Sequence, residues 1–303
     1  MISLLGKDEN FLGIDNEPGW PEGAGVVLVP VPFEQTSSYG TGSSAGPKAI
    51  LEASQQVEFH DTRLGFVPID ALKGIVTLNY LEAENGDGRE LADRLQKVVT
   101  SWLEQGKCVV TLGAEHTSVI GAIHAYAKCF DNLTVLQLDA HSDLRASYQD
   151  SRWNHACAMA RVRDFNENIV QVGIRSECEE ESDLVRKAGI PVFYAESIHE
   201  RERKGEDWIG DVIAATSGQV YITFDCDALD PSIMPATGTP EPAGLDWTQV
   251  DRLLSRLSRE RQVVGFDISE LAPIEGLHHP QFTIAKLVYR LLGYISIHRT
   301  ALL

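Results

Sequence analysis

The sequence predicts a three-layer α/β domain in which helices cover both faces of a mostly parallel sheet of about eight strands. Two observations favour this class. Short runs rich in valine and isoleucine alternate along the chain with longer segments of helical pattern. Those runs are also apolar throughout, so both sides of each strand need cover, which is typical of parallel sheets that lie between helices.

Eight runs carry the strand pattern. They are residues 26–31, 75–78, 108–112, 134–139, 169–174, 190–194, 220–225 and 263–268. The amphipathic segments 89–105 and 247–261 are predicted helices, and weaker signs indicate helices over 116–129 and 282–294. No internal repeat, low-complexity tract or linker interrupts residues 1–303, so we expect a single domain over the whole chain.

Composition argues against several classes of partner. The 303 residues carry a formal net charge of −18, which disfavours nucleic acids and anionic membranes because both bind basic surfaces. No apolar run approaches the ~20 residues that cross a bilayer, and the first residues lack the pattern of a signal peptide. The five cysteines show neither C-x-x-C nor zinc-ribbon spacing. These features favour a cytoplasmic protein with reduced cysteines.

Acidic and histidine side chains follow four of the predicted strands at the points where these strands end. They are His116 in LGAEHT, Asp139, His141 and Asp143 in LDAHSDLR, Asp225 and Asp227 in TFDCDALDP, and Glu270 in DISEL. The carboxyl ends of parallel strands meet at the same edge of a sheet, where ligands bind. We therefore expect these side chains to form one cluster.

That cluster would hold more negative charge than a protein interior tolerates alone. Residues at every second position of an extended chain share one face, and burying crowded carboxylates costs on the order of several kcal/mol unless cations offset them. Two divalent cations would match four aspartates. Oxygen and imidazole ligands without thiolates suit Mn²⁺, while Co²⁺, Ni²⁺ and Zn²⁺ stay open. A water between two such ions becomes hydroxide near neutral pH and is able to attack a trigonal carbon.

The motifs resemble those of the ureohydrolase family, the arginases and agmatinases. The resemblance runs over most of the chain and is carried by SYGTGSSAGPKAILEAS, LGAEHT, LDAHSDLR, TFDCDALDPSIMPATGTPEPAGL and DISELAP. It implies an arginase-like fold, a homo-oligomer (trimer or hexamer) and a two-manganese centre. The metal ligands that it implies are His116, Asp139, His141, Asp143, Asp225 and Asp227. It also implies that Glu270 binds the substrate guanidinium and that His155 shuttles protons.

The chemistry of guanidinium hydrolysis agrees with these roles. A carboxylate such as Glu270 grips a planar guanidinium through paired N–H donors and holds its central carbon over the hydroxide. The leaving amine must receive a proton. We expect Asp143 to take that proton from the metal-bridging hydroxide and pass it on, and His155 to exchange it with solvent.

The segment after Asp143 guides the choice of substrate. Arginases carry an asparagine two residues after that aspartate, whereas this chain has Arg145 and resembles agmatinases there. The resemblance therefore implies that agmatine, a small cationic guanidino compound, is hydrolysed to urea and putrescine, a step of polyamine biosynthesis. Aminopropylagmatine, guanidinobutyrate and arginine stay open, and Arg145 would suit a substrate with a carboxylate unless it forms a salt bridge elsewhere.

Two other classes of function were weighed against this one. A metal-binding protein of the same fold without turnover is the main rival, and the intact ligand set together with Glu270 argues against it. Two-metal phosphoesterases also contain D-x-H, but their motifs follow in the reverse order and include a Gly-Asn-His that does not precede His116 here.

Overall fold

Eight parallel strands form the central sheet of the computed structural model, which describes residues 3–17, 19–83 and 86–299. The strands are β1 Val26–Val31, β2 Ile75–Thr77, β3 Cys108–Gly113, β4 Thr134–Leu138, β5 Ile169–Val172, β6 Val192–Phe193, β7 Gln219–Asp225 and β8 Gln262–Ser269. Their order across the sheet is β2-β1-β3-β8-β7-β4-β5-β6, and every pair of neighbours is parallel. The predicted sheet is confirmed, and its shortest strand is β6.

Helices form the connections between the strands. They are α1 Gly46–Ser54, α2 Pro68–Ala71, α3 Gly88–Leu103, α4 Ile120–Cys129, α5 Ala158–Arg163, α6 Glu179–Ala188, α7 Ala195–Lys204, α8 Trp208–Ala214, α9 Trp247–Glu260 and α10 His279–Arg299. The predicted helix over 116–129 begins as a 3₁₀ turn, His116–Val119, before α4. Within the described ranges, no helix has both the length and the apolar character of a membrane span.

The helices lie in two layers, one on each face of the sheet. Buried side chains of α1, α8, α9 and α10 belong to one core, and those of α3, α4, α5 and α6 belong to the other. Within β1, Val26 and Leu28 face the first core, whereas Val27 and Val29 face the second. This alternation of apolar side chains is the reason that the strand is apolar at every position. The three-layer αβα prediction is therefore confirmed.

Strand order brings the polar segments of the sequence together. The four strands that end in acidic or histidine residues, β3, β8, β7 and β4, are consecutive neighbours in the sheet. Because they are parallel, their carboxyl ends lie side by side at one edge. Residues that are up to 154 positions apart in the chain, such as His116 and Glu270, are therefore hydrogen-bonded to each other.

Packing between β8 and α4 leaves no room for a side chain at Gly265. An added Cβ there would overlap the ring of Tyr126, whose hydroxyl donates to the carbonyl of Val109 at 2.8 Å and accepts from its N–H at 2.9 Å. We expect Gly265→Ala to lower the free energy of unfolding by ~1–3 kcal/mol because the buried ring must shift. Urea denaturation measures this change. Gly218→Ala is the control, since a Cβ at Gly218 meets no atom within 4 Å. Equal stability of the two variants would show that the packing at Gly265 is not tight.

Candidate metal centre

The structure brings all six sequence-predicted metal ligands to the carboxyl edge of the central strands. His116 opens the 3₁₀ turn that follows β3, the three residues of the LDAHSD segment follow β4, and the two aspartates of the TFDCD segment lie at the end of β7 and in the turn after it. The four aspartates are at most 5% exposed. They are Asp139, Asp143, Asp225 and Asp227.

The ligand atoms form two groups that share one residue. His116, Asp139 and Asp225 make the first group, and Asp139, His141 and Asp227 make the second; within each group the ligand atoms lie within 4.8 Å of one another. In the first, His116 Nδ1 is 3.2 Å from Asp139 Oδ2 and 3.8 Å from Asp225 Oδ2. In the second, His141 Nδ1 is 3.0 Å from Asp227 Oδ2. Asp139 is thus placed to bridge two cations.

Asp143 belongs to the same cluster. Its Oδ2 lies 2.8 Å from His116 Nδ1, and its backbone is in the left-handed region with φ 54°, which is uncommon for a residue other than glycine. Hydrogen bonds on both sides fix this conformation. The Asp143 carbonyl accepts from the N–H of Ala160 at 3.0 Å, and the N–H of Leu144 donates to Glu181 Oε1 at 2.8 Å.

Electrostatics of the cluster favour positive charge. Burial raises the pKa of Asp139 to about 7, and the charges of Asp227 and Asp143 raise it further toward that value. Burial and the neighbouring Asp227 also raise the pKa of Asp225. At His141, burial favours the neutral ring, but the charge of Asp227 outweighs it and the pKa rises to about 10. Without a metal the site therefore retains protons, and oxygen and imidazole donors at this spacing fit divalent cations that would replace them.

A polar side chain in β7 sets which nitrogen of His116 faces the carboxylates. Thr223 Oγ1 donates its one hydrogen to Asp267 Oδ1 at 2.8 Å, and it lies 2.9 Å from His116 Nε2. The hydroxyl must therefore accept from Nε2–H. This leaves the Nδ1 lone pair directed at Asp139 and Asp143, which is the tautomer that a metal requires.

Further polar residues lie one level below the ligands on neighbouring strands. Gln137 Nε2 donates to Asp139 Oδ2 at 2.8 Å, and Gln171 Nε2 donates to Gln137 Oε1 at 2.5 Å. In the sheet, Gln137 pairs with both Gln171 and Thr223, and Thr223 pairs with Asp267. Sequence reasoning missed this row. Its signal was a polar residue inside an apolar strand, two positions before a ligand in the case of Gln137 and Thr223.

A cavity of about 300 Å³ opens over the cluster and contains the three residues predicted to act in catalysis, Asp143, His155 and Glu270. Glu270 follows β8 with φ 65°. Its N–H donates to the carbonyl of Ala114 at 2.6 Å, and its Oε1 accepts from the N–H of His116 at 2.7 Å. These two bonds hold the carboxylate beside the first ligand group.

The outer wall of the cavity is rich in glutamate. Glu177, Glu181 and Glu241 line it together with one arginine, Arg145. Arg145 Nε lies 3.9 Å from Glu181 Oε2, and its guanidinium is 5.1 Å from the centre of the Tyr148 ring. The charge of Arg145 is therefore partly offset within the wall, which leaves a surplus of carboxylates that favours a cationic ligand.

Comparisons with known proteins agree with this geometry. The model of the arginase family matches residues 24–293. The chain is 40% identical over 277 residues to N(1)-aminopropylagmatine ureohydrolase of Synechocystis sp., covering 89% of each chain, and 37% identical over 272 residues to that of Thermus thermophilus, covering 90% of each. The crystal structure of agmatine ureohydrolase of Thermoplasma volcanium superimposes with a TM-score of 0.81 at 29% identity, over 99% of this chain and 97% of that one.

The contact between Thr223 and His116 predicts an effect on metal affinity. Thr223→Val removes the acceptor that fixes the tautomer, so we expect the affinity for Mn²⁺ to fall ~10- to 100-fold, which is usual when an outer hydrogen bond to a ligand is lost. Titration calorimetry on metal-free protein measures it. Thr111→Val is the control, because Thr111 lies in neighbouring β3, is equally buried, and its hydroxyl has no hydrogen-bond partner among the described residues. Equal affinities of the two variants would remove Thr223 from the metal centre.

Proposed function

Because this chain belongs to the arginase family and is a ureohydrolase, an enzyme that hydrolyses a guanidino group to release urea, we propose that its substrate is aminopropylagmatine and that its products are urea and spermidine. Agmatine is the second candidate. The two relatives that are 40% and 37% identical are both named for aminopropylagmatine, whereas the agmatine ureohydrolase structure is 29% identical.

The charges of the cavity wall carry the choice between the two substrates. Glu177, Glu181 and Glu241 face a single arginine, Arg145, so two of the three carboxylates have no cation in the wall to match them. Beyond its guanidinium, aminopropylagmatine has two ammonium groups and agmatine has one. The longer compound thus matches the surplus charge. Arginine and guanidinobutyrate carry a carboxylate, which these glutamates would repel.

The donor set fits two divalent cations, and we propose that they are Mn²⁺. His116, Asp139 and Asp225 would hold one, and His141, Asp139 and Asp227 the other, with Asp143 as the further ligand beside His116. When bound, such a pair of ions lowers the pKa of a water to about 7 and so supplies hydroxide at neutral pH.

The chain's own residues position the substrate and move the protons. Glu270 binds the guanidinium through paired hydrogen bonds, and its contact with the N–H of His116 fixes the carboxylate relative to the ligand groups. Asp143 accepts the proton of the attacking water and passes it to the leaving amine. His155, which lies in the cavity wall, exchanges protons with solvent.

Three wider features complete the proposal. We infer that residues 1–303 act as one domain, since both cores extend over the same continuous sheet. The family resemblance supports a trimeric or hexameric assembly. Composition supports a cytoplasmic location.

Urea release from the four guanidino compounds tests the substrate. With protein reconstituted in Mn²⁺, we expect kcat/KM to be highest for aminopropylagmatine, lower for agmatine, and lowest for guanidinobutyrate and arginine. A preference for agmatine would keep the mechanism and overturn the matching of charges in the wall. A preference for arginine would overturn the proposed substrate class.

Glu270→Gln tests the binding of the guanidinium. The neutral amide offers one acceptor instead of two charged ones, so kcat/KM should fall roughly 10- to 100-fold, the value of a lost charge-assisted hydrogen bond. The manganese content, measured by plasma mass spectrometry, should not change. Glu196→Gln, on the exposed surface of α7, is the control and should match the native chain in both measurements. Loss of metal from Glu270→Gln would instead make Glu270 part of the metal centre.

A further inference from the structure

The ring of His155 is held by one side chain on a distant loop. Thr36 Oγ1 accepts a hydrogen bond from the backbone N–H of His155 at 3.0 Å and lies 3.1 Å from its ring nitrogen Nδ1. Thr36 belongs to the loop after β1 and is 119 positions away along the chain. Both the backbone and the ring of His155 are therefore fixed by the same hydroxyl.

That hydroxyl is in turn fixed by a buried carboxylate. Thr36 Oγ1 donates to Glu115 Oε1 at 3.0 Å, and Glu115 is fully buried. The other oxygen of Glu115 accepts from the N–H groups of Gln35 at 3.1 Å and Thr36 at 2.8 Å. Three hydrogen bonds thus orient Glu115 toward this loop, while its neighbour His116 lies in the metal-ligand cluster.

The number of hydrogens on the hydroxyl decides the tautomer of His155. A threonine hydroxyl has one hydrogen to donate and two lone pairs to accept with. Its hydrogen is directed at Glu115, and one lone pair is taken by the backbone N–H of His155. The remaining lone pair faces Nδ1, so Nδ1 must carry a hydrogen and donate it. In a neutral ring, Nε2 is then unprotonated.

We propose that Glu115 and Thr36 are positioning residues that hold His155 as the Nδ1–H tautomer, with the lone pair of Nε2 available in the cavity. Ser38 Oγ, in the cavity wall, lies 3.4 Å from that nitrogen. The consequence for catalysis depends on the proposed function, since His155 exchanges the reaction proton through Nε2. The tautomer itself does not depend on the substrate.

Thr36→Val isolates the hydroxyl from the rest of the loop. Valine has nearly the same shape, and the two backbone N–H bonds to Glu115 do not involve the threonine side chain. Thr36→Ser is the matched control because it keeps the hydroxyl. A role of Glu115 that was limited to anchoring the loop would leave the tautomer of His155 the same in all three proteins.

Nitrogen-15 NMR of protein with labelled histidines, loaded with diamagnetic Zn²⁺, reads the tautomer directly. At about pH 8.5 an ordinary imidazole is neutral, and the protonated and unprotonated ring nitrogens differ widely in chemical shift. The His155 signals are assigned by their loss in His155→Gln. We expect the Nδ1–H form in the native chain and in Thr36→Ser, and a shift of the population toward Nε2–H in Thr36→Val. An Nε2–H form in the native chain, or no change in Thr36→Val, would overturn the proposal.

Kinetics with Mn²⁺-loaded protein give the second measurement. We expect Thr36→Val to lower kcat roughly 10- to 100-fold with KM little changed, as for other lost outer hydrogen bonds, and Thr36→Ser to restore most of it. A loss in Thr36→Ser as large as in Thr36→Val would contradict the role of the hydroxyl. If the native chain released no urea from any guanidino compound, the proposed function would fail, and the NMR result would still decide the tautomer.

Discussion

Repulsion among four buried aspartates is the constraint on which the rest of this structure depends. Asp139, Asp143, Asp225 and Asp227 come from two strands and lie around two histidines with little access to solvent. Like charges at this distance raise the free energy of the folded chain unless cations or protons offset them. The parallel sheet overcomes part of this cost by packing, and the ligand groups are arranged so that divalent cations can remove the remainder. The affinity for metal is therefore built into the fold.

Histidine orientation in this site is set by hydroxyl groups that are themselves fixed by carboxylates. At His116, Thr223 donates to Asp267 and receives the hydrogen of Nε2, which turns Nδ1 toward the ligand cluster. At His155, Thr36 and Glu115 have the same arrangement with the nitrogens exchanged. The same pair of side chains thus prepares one ring for metal binding and the other for proton transfer, because each needs a lone pair on a different nitrogen.

The sequence contains much of this site because its ligands lie at strand ends in short motifs. Apolar runs predicted all eight strands, and the spacing of Asp139, His141 and Asp143 predicted a shared face. The supporting residues were not predicted. Asp267 and Thr223 become partners only through the adjacency and register of β7 and β8, which a single sequence does not encode locally. Thr36 and Glu115 are likewise joined only by tertiary structure, so neither residue stands out by its neighbours in the chain.

Anomalous diffraction at the manganese absorption edge, from crystals of Mn²⁺-loaded protein, tests the central claim most directly. The account predicts two peaks per chain, one beside His116, Asp139 and Asp225 and the other beside Asp139, His141 and Asp227, with Asp139 contacting both. A single peak, or two peaks that do not share Asp139, would contradict the view that the four aspartates are assembled around a pair of cations.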